Sequence, residues 1–88
     1  MTTSTIVEIF NVLQESVEKA RQIREGARAA VIEYAERHGF QPFVVADIPT
    51  DAEVSAGYAK LVESYDIANL KYHKASNLFD DFRDNEWH

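Results

Sequence analysis

Four carboxylates in two pairs are the residues of this sequence whose spacing best suits chemistry. They form the patterns Glu33-x-x-Glu36 and Glu63-x-x-Asp66. Residues three apart share one face of a helix, so two such pairs on neighbouring helices could hold Mg²⁺ against a phosphate chain. Because the chain contains nine Glu and six Asp, the plainer interpretation is a set of solvated surface acids.

The spacing resembles the ExxE…ExxD arrangement of the all-α nucleoside triphosphate pyrophosphohydrolases, and the similarity covers those four positions. It implies Mg²⁺-dependent hydrolysis of nucleoside triphosphates. In a helical hairpin centred near residue 44, Glu33 lies beside about residue 56, so Glu63 is displaced by two turns, on the order of 10 Å. A dimer could restore proximity. We expect no enzyme activity, with the pyrophosphohydrolase as an alternative.

The other chemistry-bearing residues form no recognisable site. The chain has no cysteine, and His38, His73 and His88 do not recur at metal-ligand spacing. No Gly-rich phosphate loop is present. The sequence therefore predicts no catalytic residue, no cofactor and no metal ligand outside the alternative just described.

Two long helices must position whatever the chain presents to a partner. Apolar residues recur at alternating steps of four and three, the 3.5-residue period of helices that pack along their whole length. In the second helix this seam is Val54, Tyr58, Leu61, Tyr65, Ala68, Tyr72, Ala75, Phe79 and Phe82; in the first it is Ile6, Phe10, Leu13, Val17, Ala20, Arg24, Ala27, Val31, Tyr34 and His38. The pattern predicts helices over about 6–38 and 51–82, forming an antiparallel hairpin.

Local signals set the expected ends of these helices. Thr5-Ile6-Val7-Glu8 and Thr50-Asp51-Ala52-Glu53 both fit capping boxes. Gly39 suits the left-handed conformation that ends a helix. We expect residues 1–5 to fray, and the second helix to fray after Phe82, because acids at a helix C-terminus oppose its dipole.

The connection over residues 39–49 is unusually apolar. It contains Phe40, Phe43, Val44, Val45 and Ile48. Pro42 and Pro49 exclude a continuous helix, and residues 43–46 have strand-like preference. Two interpretations fit: the connection folds back and covers the open end of the hairpin, or it extends and docks on a partner, for example as an added strand.

More apolar groups are present than a two-helix hairpin can bury. Outside the seams lie Ile9, Val12, Ile23, Ala30, Ile32, Val62, Ile67, Leu70 and Leu78. A monomer seldom leaves such a surface exposed. The sequence therefore predicts an all-α, single-domain hairpin over residues 1–88 that dimerises into a four-helix bundle.

The net charge of the chain limits the classes of partner that it can bind. The chain carries 15 acids and 9 bases, a net charge of −6, which argues against direct binding to nucleic acid or an anionic membrane. The first residues lack the basic segment that begins a signal peptide. No apolar run approaches the roughly 20 residues needed to cross a bilayer. We therefore expect a cytoplasmic protein, of a cell or of a virus that infects one.

The sequence favours a non-catalytic protein–protein interaction or assembly module whose partner is itself, another protein, or both. Such a module could be a structural subunit, an adaptor or a small inhibitor, including a phage-encoded one. Its acidic–aromatic tail, residues 80–87, could instead mimic nucleic acid in the basic groove of a nucleic-acid-binding protein. The candidate interface residues are Ile9, Val12, Phe40, Phe43, Val45, Ile48, Ile67, Leu70, Asp80, Asp81, Asp84 and Trp87.

Overall fold

The computed structural model describes residues 3–86, and within them the chain is all-α. Helix α1 spans Thr3–His38, a 3₁₀ turn spans Val45–Asp47, and helix α2 spans Ala52–Glu86. The two long helices run antiparallel and pack against each other in a rod of 59 × 17 × 15 Å. The predicted hairpin is confirmed. None of the described helices is long and apolar enough to cross a membrane.

The two predicted seams face each other. Every seam residue except His38 is buried or half-buried, and Val31, Tyr58 and Ala68 lie in the most buried part of the core. The centres of the Phe10 and Phe79 rings lie 5.1 Å apart, towards the end of the rod opposite the connection. This contact joins the beginning of α1 to the end of α2, as an antiparallel pair of helices of matched length requires.

Arg24 is the one charged residue of the seam apart from its terminal histidine. Its guanidinium carbon lies 4.1 Å from the centre of the Tyr72 ring. A cation over an aromatic face is attracted by the ring quadrupole, which favours a half-buried charge at this position. The seam therefore continues through Arg24 without interruption.

The helix ends differ from three expectations. Helix α1 begins at Thr3 rather than near Ile6, so Thr5 lies inside the helix and is not its cap. Asp51, not Thr50, caps α2: its Oδ1 accepts the N–H groups of Glu53 at 3.0 Å and Val54 at 3.0 Å. The expected fraying after Phe82 is also wrong, because α2 continues to Glu86.

Gly39 ends α1 as the sequence predicts. Its φ is +74°, a conformation that glycine adopts without steric cost. The Gly39 N–H donates to the Glu36 carbonyl at 3.2 Å and the Phe40 N–H donates to the Ala35 carbonyl at 3.0 Å, which satisfies carbonyls of the last turn. Ala35 itself is a buried core residue outside the predicted seam.

Candidate functional site

The four carboxylates of the alternative enzyme site do not come together within one chain. All four are exposed, and Glu33 forms an ion pair with Arg37 at 2.8 Å. The Tyr34 side chain lies against Gly57, so Glu33 is level with the first turns of α2 and lies about two turns from Glu63. Within the described part of the chain, no group of three or more acidic or histidine residues could hold a metal ion.

The connection folds back onto α2. The Phe40 ring lies 5.0 Å from the Tyr58 ring, and the Phe43 ring lies 5.5 Å from the Tyr65 ring. The Phe43 N–H donates to the Tyr58 hydroxyl at 2.7 Å. Despite their strand-like preference, residues 43–46 form no strand, and a 3₁₀ turn occupies Val45–Asp47.

Folding back leaves an apolar crevice between the connection and α2, which we call the connection crevice. Its lining consists of Phe43, Val45, Ile48, Ser55, Tyr58, Ala59 and Val62. Val45 is 83% exposed, and Phe43 and Val44 are also exposed. The connection therefore buries part of its apolar surface against α2 and exposes the rest to solvent.

Phe43 adopts a strained backbone conformation at this crevice. Its φ is +65°, a left-handed value that costs a residue with a side chain roughly 1–2 kcal/mol. The contact of its ring with Tyr65 and the bond from its N–H to Tyr58 hold it in place. The sequence places an aromatic residue, not glycine, where the backbone must turn.

Much of the remaining apolar surface lies on the helices. Ile23 is 64% exposed, Val12 61%, and Leu70 56%. Ile67 and Leu78 are exposed as well. Four residues expected to be exposed are half-buried instead: Ile9, Ala30, Ile32 and Val62. The excess of apolar surface predicted from the sequence is thus smaller than expected but present.

The acidic end of α2 is helical and partly paired. The Arg83 guanidinium forms two ion pairs, through Nη2 with Asp80 Oδ1 at 3.4 Å and through Nε with Asp84 Oδ1 at 3.7 Å. Asp81 is exposed. Arg83 also lies over the Phe79 ring, 5.9 Å from its centre. The negative charge of this segment is therefore partly compensated. Trp87 lies outside the described residues, as does His88.

Arg21 on α1 is engaged in ion pairs with neighbouring acids. It donates to Glu18 and, at 2.9 Å, to Glu25. The hydrogen bond from Arg21 holds the pKa of the Glu18 carboxyl below its ordinary value. The same contacts raise the pKa of the Arg21 guanidinium above its ordinary value. These exposed pairs stabilise the helix surface modestly.

No protein-family model matches the chain, and no curated protein or solved structure is detectably similar to it. The function is therefore argued from the surfaces described above.

Proposed function

We propose that this chain is a non-catalytic protein–protein interaction module, a helical hairpin that acts by presenting apolar surface to a partner. The observation that carries the proposal is the exposure of aliphatic side chains along both helices, including Ile23 at 64% and Val12 at 61%. Single exposed apolar residues are ordinary, but a series along one small rod is characteristic of interaction surfaces.

The connection crevice supports the same function. It combines aromatic and aliphatic side chains around an open cleft, with Val45 projecting into solvent. Buried aromatic anchors and exposed aliphatic side chains are the usual ingredients of a docking surface. The contacts that hold Phe43 keep its ring in a fixed position, which reduces the entropy that this residue loses on binding.

Two kinds of partner would cover this surface. A second copy would complete a four-helix bundle, as the sequence predicts. A different protein would make the chain a subunit, an adaptor or an inhibitor. We place this activity in the cytoplasm of a cell or a virus-infected cell, in keeping with the composition of the chain.

Light scattering tests whether the partner is a second copy. The measurement covers roughly 1–100 µM chain, a range that spans typical weak to moderate self-association. A dimer that Ile67→Ser and Leu70→Ser together convert to a monomer would support the four-helix bundle. A wild-type monomer throughout that range would leave only a different protein as partner. The control variant is Asn77→Ser, which changes an exposed polar residue of α2 and removes no apolar surface.

A direct assay for the alternative enzyme can overturn the proposal. The chain would be incubated with nucleoside triphosphates and Mg²⁺, beside the variants Glu63→Ala and Glu53→Ala. Glu53 is an exposed acid outside the ExxE…ExxD pattern. Pyrophosphate release that Glu63→Ala abolishes and Glu53→Ala leaves intact would show a catalytic site, and the module would then be an enzyme.

A further inference from the structure

All four lysines of the chain lie on one side of the hairpin. Ser16, Lys19, Ala20 and Ile23 of α1 line one open groove together with Ala68 and Lys71 of α2. Lys60 and Lys74 lie seven residues either side of Ile67, so the three form one row beside Lys71 on the same side of α2. We call this surface the lysine face: Lys19, Ile23, Lys60, Ile67, Lys71 and Lys74.

The lysine face carries its positive charge in the middle of the rod. At heptad spacing its rows include no Asp or Glu between Ile9 and Ala30 on α1 or between Gly57 and Leu78 on α2, and the first acids beyond those bounds are Glu33, Glu53 and Asp81. Within residues 3–85, no lysine lies within 4 Å of a carboxylate oxygen, whereas Arg21, Arg37 and Arg83 each do. A chain of net charge −6 thus concentrates unpaired positive charge on one surface.

The shape of this surface suits a helix. Alanines at positions 20 and 68 form the floor of the groove, and small side chains there let another helix approach closely. Exposed aliphatic residues flank the groove. Ile23 and Ile67 lie towards the middle of the rod, and Val12 and Leu78 lie towards the end opposite the connection. Residues 12 and 23 are about 16 Å apart along α1, which is three helical turns.

Charge decides among the occupants of this face. Two copies meeting face to face would bring their lysines together, which costs free energy unless acids intervene. A nucleic acid or a membrane surface is disfavoured because the rows contain none of the aromatic residues that anchor either ligand. An acidic helix gains both the apolar burial and the charge pairing.

We propose that the lysine face binds an acidic amphipathic helix of a different protein, forming a three-helix bundle with the hairpin. Apolar residues of the partner helix pack on Ala20, Ala68 and Ile23, while its acids pair with Lys19, Lys71 and Lys74. This inference rests on the proposed function and names the chemistry of the partner.

The test uses two designed peptides of 21 residues, about 31 Å as helices. Both have leucine at heptad positions a and d; one has glutamate and the other lysine at e and g. Fluorescence anisotropy measures their binding to the full chain at low and at physiological salt. We expect the glutamate peptide to bind at least about tenfold more tightly than the lysine peptide, with affinity falling as salt rises.

Charge-reversed variants locate the binding surface. Lys19→Glu with Lys71→Glu should abolish the preference for the glutamate peptide, because both substitutions lie in the groove. Arg28→Glu with Arg83→Glu makes the same change in net charge on exposed residues outside the lysine face and should leave the preference intact. Circular dichroism confirms that both variants remain helical.

Four results would overturn the inference. Two concern the peptides: equal affinity for the glutamate and lysine peptides, or an equal loss of the preference in both charge-reversed variants. The other two are binding of phosphatidylserine vesicles instead of the glutamate peptide, and a homodimer that dissociates when Lys19 and Lys71 are replaced. The last result would still support the interaction module, because a second copy would then be the partner. The proposed function itself fails separately, through the pyrophosphate assay.

Discussion

The Tyr34 hydroxyl donates a hydrogen bond to the Val54 carbonyl oxygen at 2.8 Å, joining α1 to the first turn of α2. The ring reaches this carbonyl by lying across Gly57, where a Cβ would overlap the hydroxyl. Absence of a side chain at position 57 is therefore what permits the bond. The pair Tyr34 and Gly57 sets the register of the helices near the connection.

We expect Tyr34→Phe to lower the free energy of unfolding by about 1 kcal/mol, because the interhelical hydrogen bond is lost. Gly57→Ala should lower it by about the same amount, since crowding against Tyr34 outweighs the better helix propensity of alanine. The double variant should be less destabilised than the two losses combined, by about 0.5–1 kcal/mol. Urea denaturation of all four proteins measures this coupling, and strict additivity would contradict the contact.

Two glycines should respond in opposite directions to alanine. Apart from its chain neighbours and the backbone of its own helix, no atom lies within 4 Å of a Cβ built on Gly26 in the middle of α1, so Gly26→Ala should raise the free energy of unfolding by about 0.5–1 kcal/mol. Gly39→Ala should lower it by about 1 kcal/mol, because φ at this position is +74°. Thermal unfolding followed by circular dichroism compares the variants. A loss of stability in Gly26→Ala would indicate that position 26 is packed in solution.

Tyr58→Phe should loosen the connection without unfolding the hairpin. Tyr58 is 3% exposed, and its hydroxyl is the acceptor for the Phe43 N–H. Removal of that acceptor should cost about 1 kcal/mol. Amide hydrogen exchange should show faster exchange at Phe43 while the centre of α1 keeps its protection. Tyr72→Phe is the control, because Tyr72 contacts Arg24 through its ring.

The capping residue of α2 can be identified by two alanine substitutions. Asp51→Ala should lower the free energy of unfolding by about 1 kcal/mol, because two backbone N–H groups lose their acceptor. Thr50→Ala should change it by much less, since the Asp51 carboxylate makes both capping bonds. Chemical denaturation distinguishes the two variants. A larger effect at Thr50 would restore the capping box expected from the sequence.

The helices could be predicted from the sequence because their information is repeated along the chain. Each seam residue, from Tyr58 to Phe79, supports the same period, so the loss of one signal does not change the result. The register near residue 44 follows from the matched lengths of the two seams. Even Arg24 fits, because an arginine can cover an aromatic ring in a helix seam.

The connection could not be predicted in the same way, because its conformation depends on tertiary contacts. Residues 43–46 have strand-forming side chains, yet one hydroxyl from Tyr58 and two ring contacts select a turn with a left-handed residue. Local propensity is weaker than such contacts. The cap of α2 was missed for a related reason: Thr50 and Asp51 are both good caps, and backbone geometry chooses between them.

The lysine face has a partial signal in the sequence. Lys60, Ile67 and Lys74 recur at seven-residue intervals, but the net charge of the whole chain averages these lysines with acids on other faces. Assignment of charge to helix rows, instead of to segments, would have separated them. The groove between the helices needed the structure, because its floor depends on the alanines at 20 and 68 being level with each other.

The antiparallel arrangement also determines how the rod responds to force. Thr3 and Glu86 lie at the same end, and the connection lies at the other end of a 59 Å rod. Tension applied to these two residues therefore opens the seam from that end, through the Phe10–Phe79 contact, and loads each turn only after the one before it has opened. The hairpin would unzip at low force, whereas the same helices pulled from opposite ends would have to shear all their contacts at once.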